Sequence, residues 1–377
     1  MARLVLFDRL GGPEVLTLRD TEAGVPGAGE VRIRVDAIGL NRAEIMYREG
    51  GYFYEPVFPS TLGYEAAGVI EAVGEGVGAF AEGDPVAVVP AFLQSEYGTY
   101  GDRVLLPASA VVPRPADVDP VQAAAVWMAC ITAYGPLAES GQVRPGDHVL
   151  ITAASSSVGL AAIQVARHVG AIPIATTRGA AKKQRLLDAG AAHVIVTDEE
   201  DLPARIKEIT GGEGVRLAFD LVAGPGVETL AQGIAPGGSL VVYGALDPRP
   251  TPLPNAPSFP ALTSSTYTLF EITTNPERLA RAVAFVNAGL VSGSFTPVVD
   301  RTFDLGEPQL RPNGSSAHRL VPPACTSTPH RAASAVTMPR PRPCSSGSTA
   351  EADSPAGVTG PLSVTSTRTA LHTSMSA

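Results

Sequence analysis

The pattern of hydrophobic and polar positions changes near residue 120. Before that point, short β-branched and apolar runs are separated by turn sequences such as Gly11-Gly12-Pro13. This pattern predicts strands with no long helices between them, which is typical of a small, partly closed antiparallel barrel. Asn41–Gly50 is predicted to form one or two helical turns, and Gly51–Pro59 an aromatic loop. The predicted strands are Leu4–Phe7, Val15–Leu18, Val31–Ile38, Ala66–Val73 and Val86–Val89.

From Asp119 onward, strand and helix patterns alternate. Asp119 is a preferred N-cap residue and Pro120 suits the first helical position, so a helix begins there. The alternation predicts an α/β fold with a doubly wound parallel sheet. Asn275-Pro276 opens a later helix that ends at Gly289, and Pro297–Leu305 is predicted to be a returning strand. The other predicted elements are Gln122–Tyr134, His148–Ala153, Val158–Val169, Ile172–Thr177, Ala181–Ala189, Val194–Val196, Leu202–Thr210, Leu217–Asp220, Val227–Gly233 and Ser239–Tyr243.

The segment His148–Lys183 has the pattern of a strand, a turn of small residues, an amphipathic helix and a second strand. Such a unit binds a dinucleotide by placing the pyrophosphate at the helix N-terminus, where free N–H groups and the dipole favour an anion. The usual G-x-G-x-x-G turn keeps only its last glycine, and three serines replace much of the rest. The serines either bond phosphate oxygens or form a polar N-cap cluster, and both roles stay open. The candidate contacts in this turn are Ser155, Ser156, Ser157, Val158 and Gly159.

The end of the second strand bears on which dinucleotide binds. NAD-binding units carry Asp or Glu about twenty residues after the glycine turn, where it bonds the ribose 2′-hydroxyl. Here the corresponding residues are Thr177 and Arg178, followed by Lys182 and Lys183. Cations without the carboxylate favour a 2′-phosphate, because Arg pairs with phosphate through two hydrogen bonds, and NADPH is therefore the predicted cofactor. The alternative is that these cations only form the solvated start of a helix.

Composition and charge restrict the function classes. The 377-residue chain is 45% hydrophobic and 17% charged, and it contains no apolar run of membrane-spanning length. No secretory signal is seen, and the three cysteines have neither metal-binding spacing nor a disulfide framework, so a cytoplasmic location is expected. The net charge of −9 argues against nucleic-acid binding.

The composition changes again after Leu305. Residues 306–377 contain no Phe, Tyr, Trp, Ile or Lys, and their six arginines outnumber three carboxylates. So few large apolar residues cannot offset an ordering entropy of about 1–2 kcal/mol per residue, which predicts a disordered tail. A basic interaction segment is one alternative. Another hypothesis, motivated by the composition break, is a shifted reading frame near codon 306, and an intact frame in the source gene would exclude it.

Several segments together resemble one enzyme family: Gly11–Leu16, Pro26–Val31, Gly39–Arg42, Gly63–Gly68, Gly83-Asp84, Thr132–Tyr134, Ala153–Gly159, Gly237-Gly238 and Tyr243-Gly244. On these segments the chain resembles the zinc-free quinone oxidoreductases, the zeta-crystallin-like branch of the alcohol dehydrogenase-like medium-chain dehydrogenase/reductase superfamily. The resemblance implies a GroES-like, partly closed β-barrel domain and a Rossmann domain with a doubly wound parallel sheet. The implied limits are 1–120 for the substrate domain, 121–265 for the dinucleotide-binding domain, 266–305 for a return segment and 306–377 for the tail.

The resemblance also bears on metal chemistry. Zinc-bearing members carry Cys and His where this chain has Asn41 and Tyr64, and Glu65 alone cannot hold a catalytic zinc ion. Without a Lewis acid to polarise an alcohol, the better expectation is NADPH-dependent reduction of a quinone or an α,β-unsaturated carbonyl, as in enoyl reductases. Two alternatives stay open: a zinc-type alcohol dehydrogenase, and an NADPH-binding protein that is catalytically impaired by its aberrant C-terminus.

The resemblance assigns roles to individual residues. Asn41 and Tyr52 would face the substrate, and either would donate a hydrogen bond to its carbonyl oxygen. Tyr64 would occupy the vacated zinc-ligand position, and half-buried packing is the alternative role for both tyrosines. The chain departs from many relatives at Met46, where they carry Tyr. A homodimer joined along Ser239–Tyr243 is also implied. The further cofactor contacts implied by the resemblance are Thr132, Tyr243, Gly244 and Phe270.

Overall fold

Two β-sheets organise the computed structural model, which describes residues 1–254, 261–300 and 302–306 and the backbone of residues 324–326. The first sheet is mainly antiparallel and the second is parallel, and a separate antiparallel pair lies at the start of the chain. The strands are β1 (Ala2–Leu6), β2 (Thr17–Thr21), β3 (Glu30–Gly39), β4 (Glu65–Val73), β5 (Pro85–Val88), β6 (Arg103–Pro107), β7 (Val111–Pro113), β8 (His148–Ile151), β9 (Ile172–Thr177), β10 (His193–Val196), β11 (Val215–Asp220), β12 (Ile234–Val242), β13 (Thr263–Thr266), β14 (Thr302–Asp304) and β15 (Ala324–Thr326).

Four of the α-helices connect successive strands of the parallel sheet. None of the described helices is long and apolar enough to cross a membrane. The helices are α1 (Arg42–Arg48), α2 (Pro120–Ala124), α3 (Trp127–Tyr134), α4 (Ser157–His168), α5 (Lys183–Asp188), α6 (Leu202–Ile209), α7 (Val227–Ala231), α8 (Phe270–Thr273) and α9 (Pro276–Val291).

The first sheet has the strand order β14-β15-β3-β4-β5-β7. β6 also pairs with β3, over Glu30–Arg34, on the edge of β3 that faces away from β4. Every pairing among β3 to β7 is antiparallel. Along β3 buried and half-buried residues alternate, since successive side chains point to opposite faces, and Val31, Ile33 and Val35 enter the main core. The predicted partly closed antiparallel barrel is confirmed, and β6 and β7 are strands that the sequence analysis missed.

The second sheet has the order β10-β9-β8-β11-β12-β13, and every pair in it is parallel. This confirms the doubly wound parallel sheet. The strand order reverses between β8 and β11, which opens a crevice at the carboxyl ends of the strands. β12 is an inner strand, and the edge beside it is β13, whose four residues are exposed. The assignment of Ser239–Tyr243 as a dimer edge is therefore wrong, while the homodimer itself stays a prediction.

Two helices differ from their predicted limits. The predicted helix Gln122–Tyr134 is divided into α2 and α3, because the backbone at Ala125 leaves helical values. Helix α9 continues past Gly289, and Gly293, with φ +74°, follows its end. Gly289 is instead a packing position, since a Cβ atom there would lie 2.1 Å from the ring of Phe295.

After α9 the described chain returns to the first sheet. β14 covers only part of the strand predicted over Pro297–Leu305. β15 pairs with β14 and with β3, although the sequence pattern indicates no element there. The rest of the predicted disordered tail, from residue 307 onward, lies outside the described residues. The domain limits given above stay predictions.

Gly39, at the end of β3, permits α2 to pack closely against the first sheet. A Cβ atom at this position would lie 2.1 Å from the carbonyl oxygen of Ala124 and 2.4 Å from Cγ of Glu65. We expect Gly39→Ala to lower the free energy of unfolding by about 1–3 kcal/mol, the usual cost of overpacking. Urea denaturation measures this loss. Gly78→Ala is the control, since a Cβ atom there would meet nothing within 4 Å, and equal stability of the two variants would contradict the close approach.

Candidate active site

The carboxyl ends of β8, β9 and β12 meet at one edge of the parallel sheet. Because these strands run in the same direction, the residues that follow them collect beside the crevice between β8 and β11. β8 leads to the turn before α4, β9 ends at Thr177 and is followed by Arg178, and β12 is followed by Tyr243 and Gly244. The structure thus brings three separately predicted nucleotide-binding segments to the same edge.

The turn before α4 contains a strained alanine. Ala153 has φ +44°, a region that costs a non-glycine residue roughly 1–2 kcal/mol. Gly159 packs against this turn, since a Cβ atom there would lie 2.6 Å from both the Cα and the carbonyl oxygen of Ala154. The Ser156 hydroxyl accepts a hydrogen bond of 3.1 Å from the N–H of Gly159, so Ser156 caps α4. The capping role, one of the two left open for the serines, is therefore present.

Positive charge lies beside this turn. The ammonium group of Lys182 donates to the hydroxyl of Ser155 at 3.3 Å. Arg178 is exposed, and its guanidinium forms no ion pair with any described residue. Thr177 is buried, and its hydroxyl donates to the carbonyl oxygen of Gly179 at 3.3 Å. Two cations at this edge are thus available to an anionic ligand.

Tyr243 places a buried hydroxyl near Ser156. Its ring stacks on Phe219 with the centroids 3.9 Å apart, and its hydroxyl has no hydrogen-bond partner of good geometry in the described part of the chain. Burial raises the pKa of this phenol, so the group stays neutral. A buried polar group without a partner costs about 1–3 kcal/mol, which a ligand that bonds the hydroxyl would remove.

Two further predicted cofactor contacts, Thr132 and Gly244, each lie in a closely packed position. Thr132 is buried on α3, and its hydroxyl donates to the carbonyl oxygen of Met128 at 2.6 Å, which leaves the oxygen free to accept. A Cβ atom at Gly244 would lie 2.4 Å from Cδ1 of Leu221. A larger residue at position 244 would therefore displace the side chain of Leu221.

Glu65 joins the predicted substrate side of the site to α3. This residue, at the start of β4, is 2% exposed and accepts hydrogen bonds of 2.9 Å from the side-chain amide of Asn41 and from the N–H of Met128. Met128 lies in the first turn of α3, and Val126 at the N-cap position has no side-chain oxygen. Glu65 therefore supplies the cap, from 63 residues away in the sequence.

Asn41 directs its amide hydrogens at two buried carboxylates. Besides the bond to Glu65, its side-chain nitrogen lies 3.4 Å from Glu44, which also accepts from the backbone N–H of Asn41. Burial raises the pKa of Glu65 to about 7. Burial and the nearby Glu65 hold the pKa of Glu44 well above its ordinary value. Near neutral pH this pair therefore retains a proton that exposed carboxylates would have lost.

Three tyrosine hydroxyls form a second connected group. Tyr64 is fully buried and hydrogen-bonds to both Tyr54 and Tyr52, and its oxygen lies 3.2 Å from that of Tyr52. Tyr54 also accepts a hydrogen bond of 2.9 Å from the N–H of Gln94. Burial raises the pKa of Tyr52 and of Tyr64, so both phenols stay protonated. Of the three predicted catalytic residues, Tyr52 and Tyr64 are thus in direct contact, while Asn41 belongs to the carboxylate group.

Phe270 packs against this tyrosine group. Its ring centroid lies 5.9 Å from that of Tyr64 and 5.7 Å from that of Phe53, which is 67% exposed. Phe270 begins α8, shortly after the edge strand β13. It therefore connects the second sheet to the predicted substrate side.

The sequence analysis missed Tyr54, Glu44 and Gln94. Tyr54 did have a signal, because it belongs to the same predicted aromatic loop as Tyr52. Glu44 also had one, since Asn followed three residues later by Glu fits a capping box. Gln94 had none, because its contact with Tyr54 is made by the backbone.

In the described part of the chain, no group of three or more His, Cys, Asp or Glu side chains is arranged to hold a metal ion.

Comparison with known proteins gives two family matches. The family described as alcohol dehydrogenase GroES-like domain matches residues 27–116. The family described as zinc-binding dehydrogenase matches residues 157–288. The first match spans β3 to β7 and the second spans α4 to α9, so both sheets contribute to the likeness.

Whole-protein comparisons agree with these matches. A quinone oxidoreductase from Pseudomonas aeruginosa is 37% identical over 244 residues, which cover 65% of this chain and 74% of that protein. A 2-haloacrylate reductase from Burkholderia is 32% identical over 250 residues, or 65% of this chain and 73% of that protein. The crystal structure of Escherichia coli quinone oxidoreductase complexed with NADPH has a TM-score of 0.76 at 30% identity, covering 86% of this chain and 100% of that chain.

The raised pKa of Glu65 predicts a pH-dependent stability. The folded state binds the proton more tightly than the unfolded state, so the free energy of unfolding falls as pH rises from about 4.5 to about 7. We expect Glu65→Gln to reduce this fall by about 3 kcal/mol, since each pKa unit corresponds to about 1.4 kcal/mol. Urea denaturation at pH 5 and at pH 8 measures the change.

The exposed Glu199 offers a control for this prediction. Glu199→Gln should leave the difference between the two pH values as it is in the unmodified chain. If Glu65→Gln also left that difference unchanged, the buried carboxylate would not be its source.

Proposed function

The chain belongs to the quinone oxidoreductase branch of the medium-chain dehydrogenase/reductase superfamily, and we propose that it reduces quinones or α,β-unsaturated carbonyl compounds with NADPH and without a metal ion. One observation carries the proposal. The turn before α4 is bonded by Lys182, and Arg178 follows β9 at the same edge of the sheet. The same chain contains a phenol, Tyr52, whose hydrogen has no acceptor among the described residues. The first feature suits a phosphorylated dinucleotide and the second suits a carbonyl oxygen.

The residues at the sheet edge fit the dinucleotide. NADPH, when bound, supplies hydride from its nicotinamide ring. The N-terminus of α4, capped by Ser156, would hold the pyrophosphate, and Arg178 with Lys182 would hold the 2′-phosphate. The buried hydroxyl of Tyr243, near Ser156 and without a partner, would bond the same ligand. The E. coli relative that was crystallised with NADPH supports this choice, and the other predicted contacts stay predictions.

Tyr52 is the residue that would stabilise the substrate oxygen. Reduction of a quinone or an enone builds negative charge on the carbonyl oxygen, and a neutral donor aimed at that oxygen stabilises it. The amide hydrogens of Asn41 are directed at Glu65 and Glu44, whereas the hydroxyl hydrogen of Tyr52 is uncommitted. Because burial raises its pKa, Tyr52 keeps its proton and acts by hydrogen bonding. The proton that completes the product then comes from water.

The donor set supports a reaction without metal. At the positions where zinc-bearing members have Cys and His, this chain offers an amide in Asn41 and a neutral phenol in Tyr64, and Zn²⁺ prefers thiolate, imidazole or carboxylate. Glu65 is a carboxylate, but its oxygens already accept from Asn41 and Met128. The family match described as zinc-binding dehydrogenase covers residues 157–288, which do not include Asn41, Tyr64 or Glu65, so it does not support the zinc-type alternative at these positions.

The proposed activity is tested by mixing the purified chain with NADPH and a panel of quinones, enones and saturated alcohols. We expect NADPH oxidation with quinones or enones, unchanged after treatment with a chelator, and slower oxidation of NADH. The absorbance of the reduced nicotinamide measures the rate. Zinc-dependent oxidation of alcohols would instead support the zinc-type alternative, and NADPH binding without turnover would support the impaired binding protein.

Arg178 should decide between the two nicotinamide cofactors. We expect Arg178→Asp to lower the ratio of NADPH affinity to NADH affinity on the order of 10- to 100-fold, since hydrogen bonds to charged groups contribute about 1.5–3 kcal/mol. Isothermal titration with each dinucleotide measures the ratio without reference to activity. Lys207→Asp on α6 makes the same change of charge at an exposed position and should leave the ratio unchanged. An unaltered ratio in the Arg178 variant would remove this assignment.

A further inference from the structure

The three tyrosine hydroxyls form a chain with one direction. The backbone N–H of Gln94 can only donate, so Tyr54 accepts at that end. At the other end, the geometry makes Tyr64 the donor to Tyr52. A phenol carries one hydrogen, so Tyr64 has none left for Tyr54, and Tyr54 must donate to Tyr64. The order is therefore Gln94 N–H to Tyr54, to Tyr64, to Tyr52.

This direction determines what Tyr52 does with its own hydrogen. The hydrogen of Tyr64 points at the oxygen of Tyr52, so Tyr52 cannot donate its own hydrogen back to Tyr64. Tyr52 accepts from Tyr64 and has no acceptor of its own in the described part of the chain. A hydroxyl that accepts one hydrogen bond becomes a slightly stronger donor in the next one. Its hydrogen is thus both available and polarised.

The first link in this chain of hydroxyl groups, at Gln94 and Tyr54, is held rigidly. Gln94 is fully buried, and its side-chain carbonyl accepts a hydrogen bond of 2.8 Å from the N–H of Gly63, next to Tyr64. The ring of Tyr54 contacts those of both Tyr47 and Tyr52, with centroids 5.2 and 5.1 Å away. The same residue, Gln94, therefore fixes both Tyr54 and the backbone beside Tyr64.

We propose that Tyr54 is a positioning residue of this reaction: by donating to Tyr64 it keeps the hydrogen of Tyr64 directed at Tyr52, so that the hydrogen of Tyr52 stays directed to the substrate oxygen. The inference rests on the proposed function, because it needs Tyr52 to donate to a substrate. Without the Tyr54 hydroxyl, the hydrogen of Tyr64 can turn to the vacated side, away from Tyr52. Tyr52 can then turn its hydrogen toward Tyr64, in competition with the substrate.

Kinetics of Tyr54→Phe test this role. We expect kcat with a quinone to fall on the order of three- to tenfold, the effect of losing one net hydrogen bond, while the KM for NADPH stays unchanged. Tyr47→Phe is the matched control, because Tyr47 lies in the same aromatic cluster but its hydroxyl bonds Ser60, outside the chain of hydroxyls. It should leave kcat unchanged.

Double variants separate positioning from a merely structural effect. In the background of Tyr52→Phe or of Tyr64→Phe, Tyr54→Phe should have no further effect on kcat, because the donor or the competing acceptor is already gone. A structural role would lower kcat in every background. Thermal unfolding of each variant measures whether stability is also lost. Should Tyr54→Phe fail to fold, Tyr54→Met, which is flexible enough to fill the space, carries the same expectation.

The outcomes distinguish the two proposals. If the unmodified chain reduces no quinone or enone with NADPH, the proposed function fails. If it does, and Tyr54→Phe retains full kcat or lowers kcat equally in all backgrounds, only the positioning role fails.

Discussion

One buried carboxylate holds the two halves of the site together. Glu65 belongs to the first sheet, yet one of its oxygens caps the helix that leads into the second sheet, while the other anchors Asn41. Removing such a group leaves two N–H donors without a partner in a dry interior, where each costs about 1–3 kcal/mol. The position of α3, and with it that of Thr132, therefore depends on a side chain from the other sheet.

The predicted substrate side is ordered by hydroxyl groups. Tyr52 and Tyr54 lie in a segment without regular secondary structure, and Tyr64 directly precedes β4. What fixes them is a chain of hydrogen bonds that begins at the backbone of Gln94, together with rings packed edge to face. Because these phenols are buried and neutral, the group donates hydrogen bonds without itself losing a proton. That property suits an electron-poor substrate, whose reduction needs a hydrogen bond to the developing oxygen charge more than it needs a proton from an acidic side chain.

The nucleotide edge combines strain with unpaired polar groups. Ala153 adopts a left-handed backbone conformation, the hydroxyl of Tyr243 is buried without a good partner, and Arg178 has no counter-ion among the described residues. The first two features are unfavourable by themselves, whereas the exposed Arg178 is solvated. A bound dinucleotide would give the last two a partner, since its phosphates accept hydrogen bonds and carry negative charge. Backbone strain of this kind is found where ligands bind.

The sequence by itself determined that an antiparallel and a parallel sheet are present, though not the strands β6, β7, β13 and β15. It also determined the α4 turn and the cations that follow β9, because these depend on local periodicity, caps and turn residues within a few positions. Through resemblance it also predicted Tyr52 and Tyr64 as site residues. The tertiary structure alone decided that α3 is capped by Glu65, that Asn41 also donates to Glu65, and that the backbone of Gln94 bonds Tyr54. These contacts connect residues far apart in the chain or use the backbone, as Gln94 does, and no local pattern encodes them. The direction of the hydroxyl chain likewise exists only once its members meet, since each hydrogen is assigned by the bonds on either side.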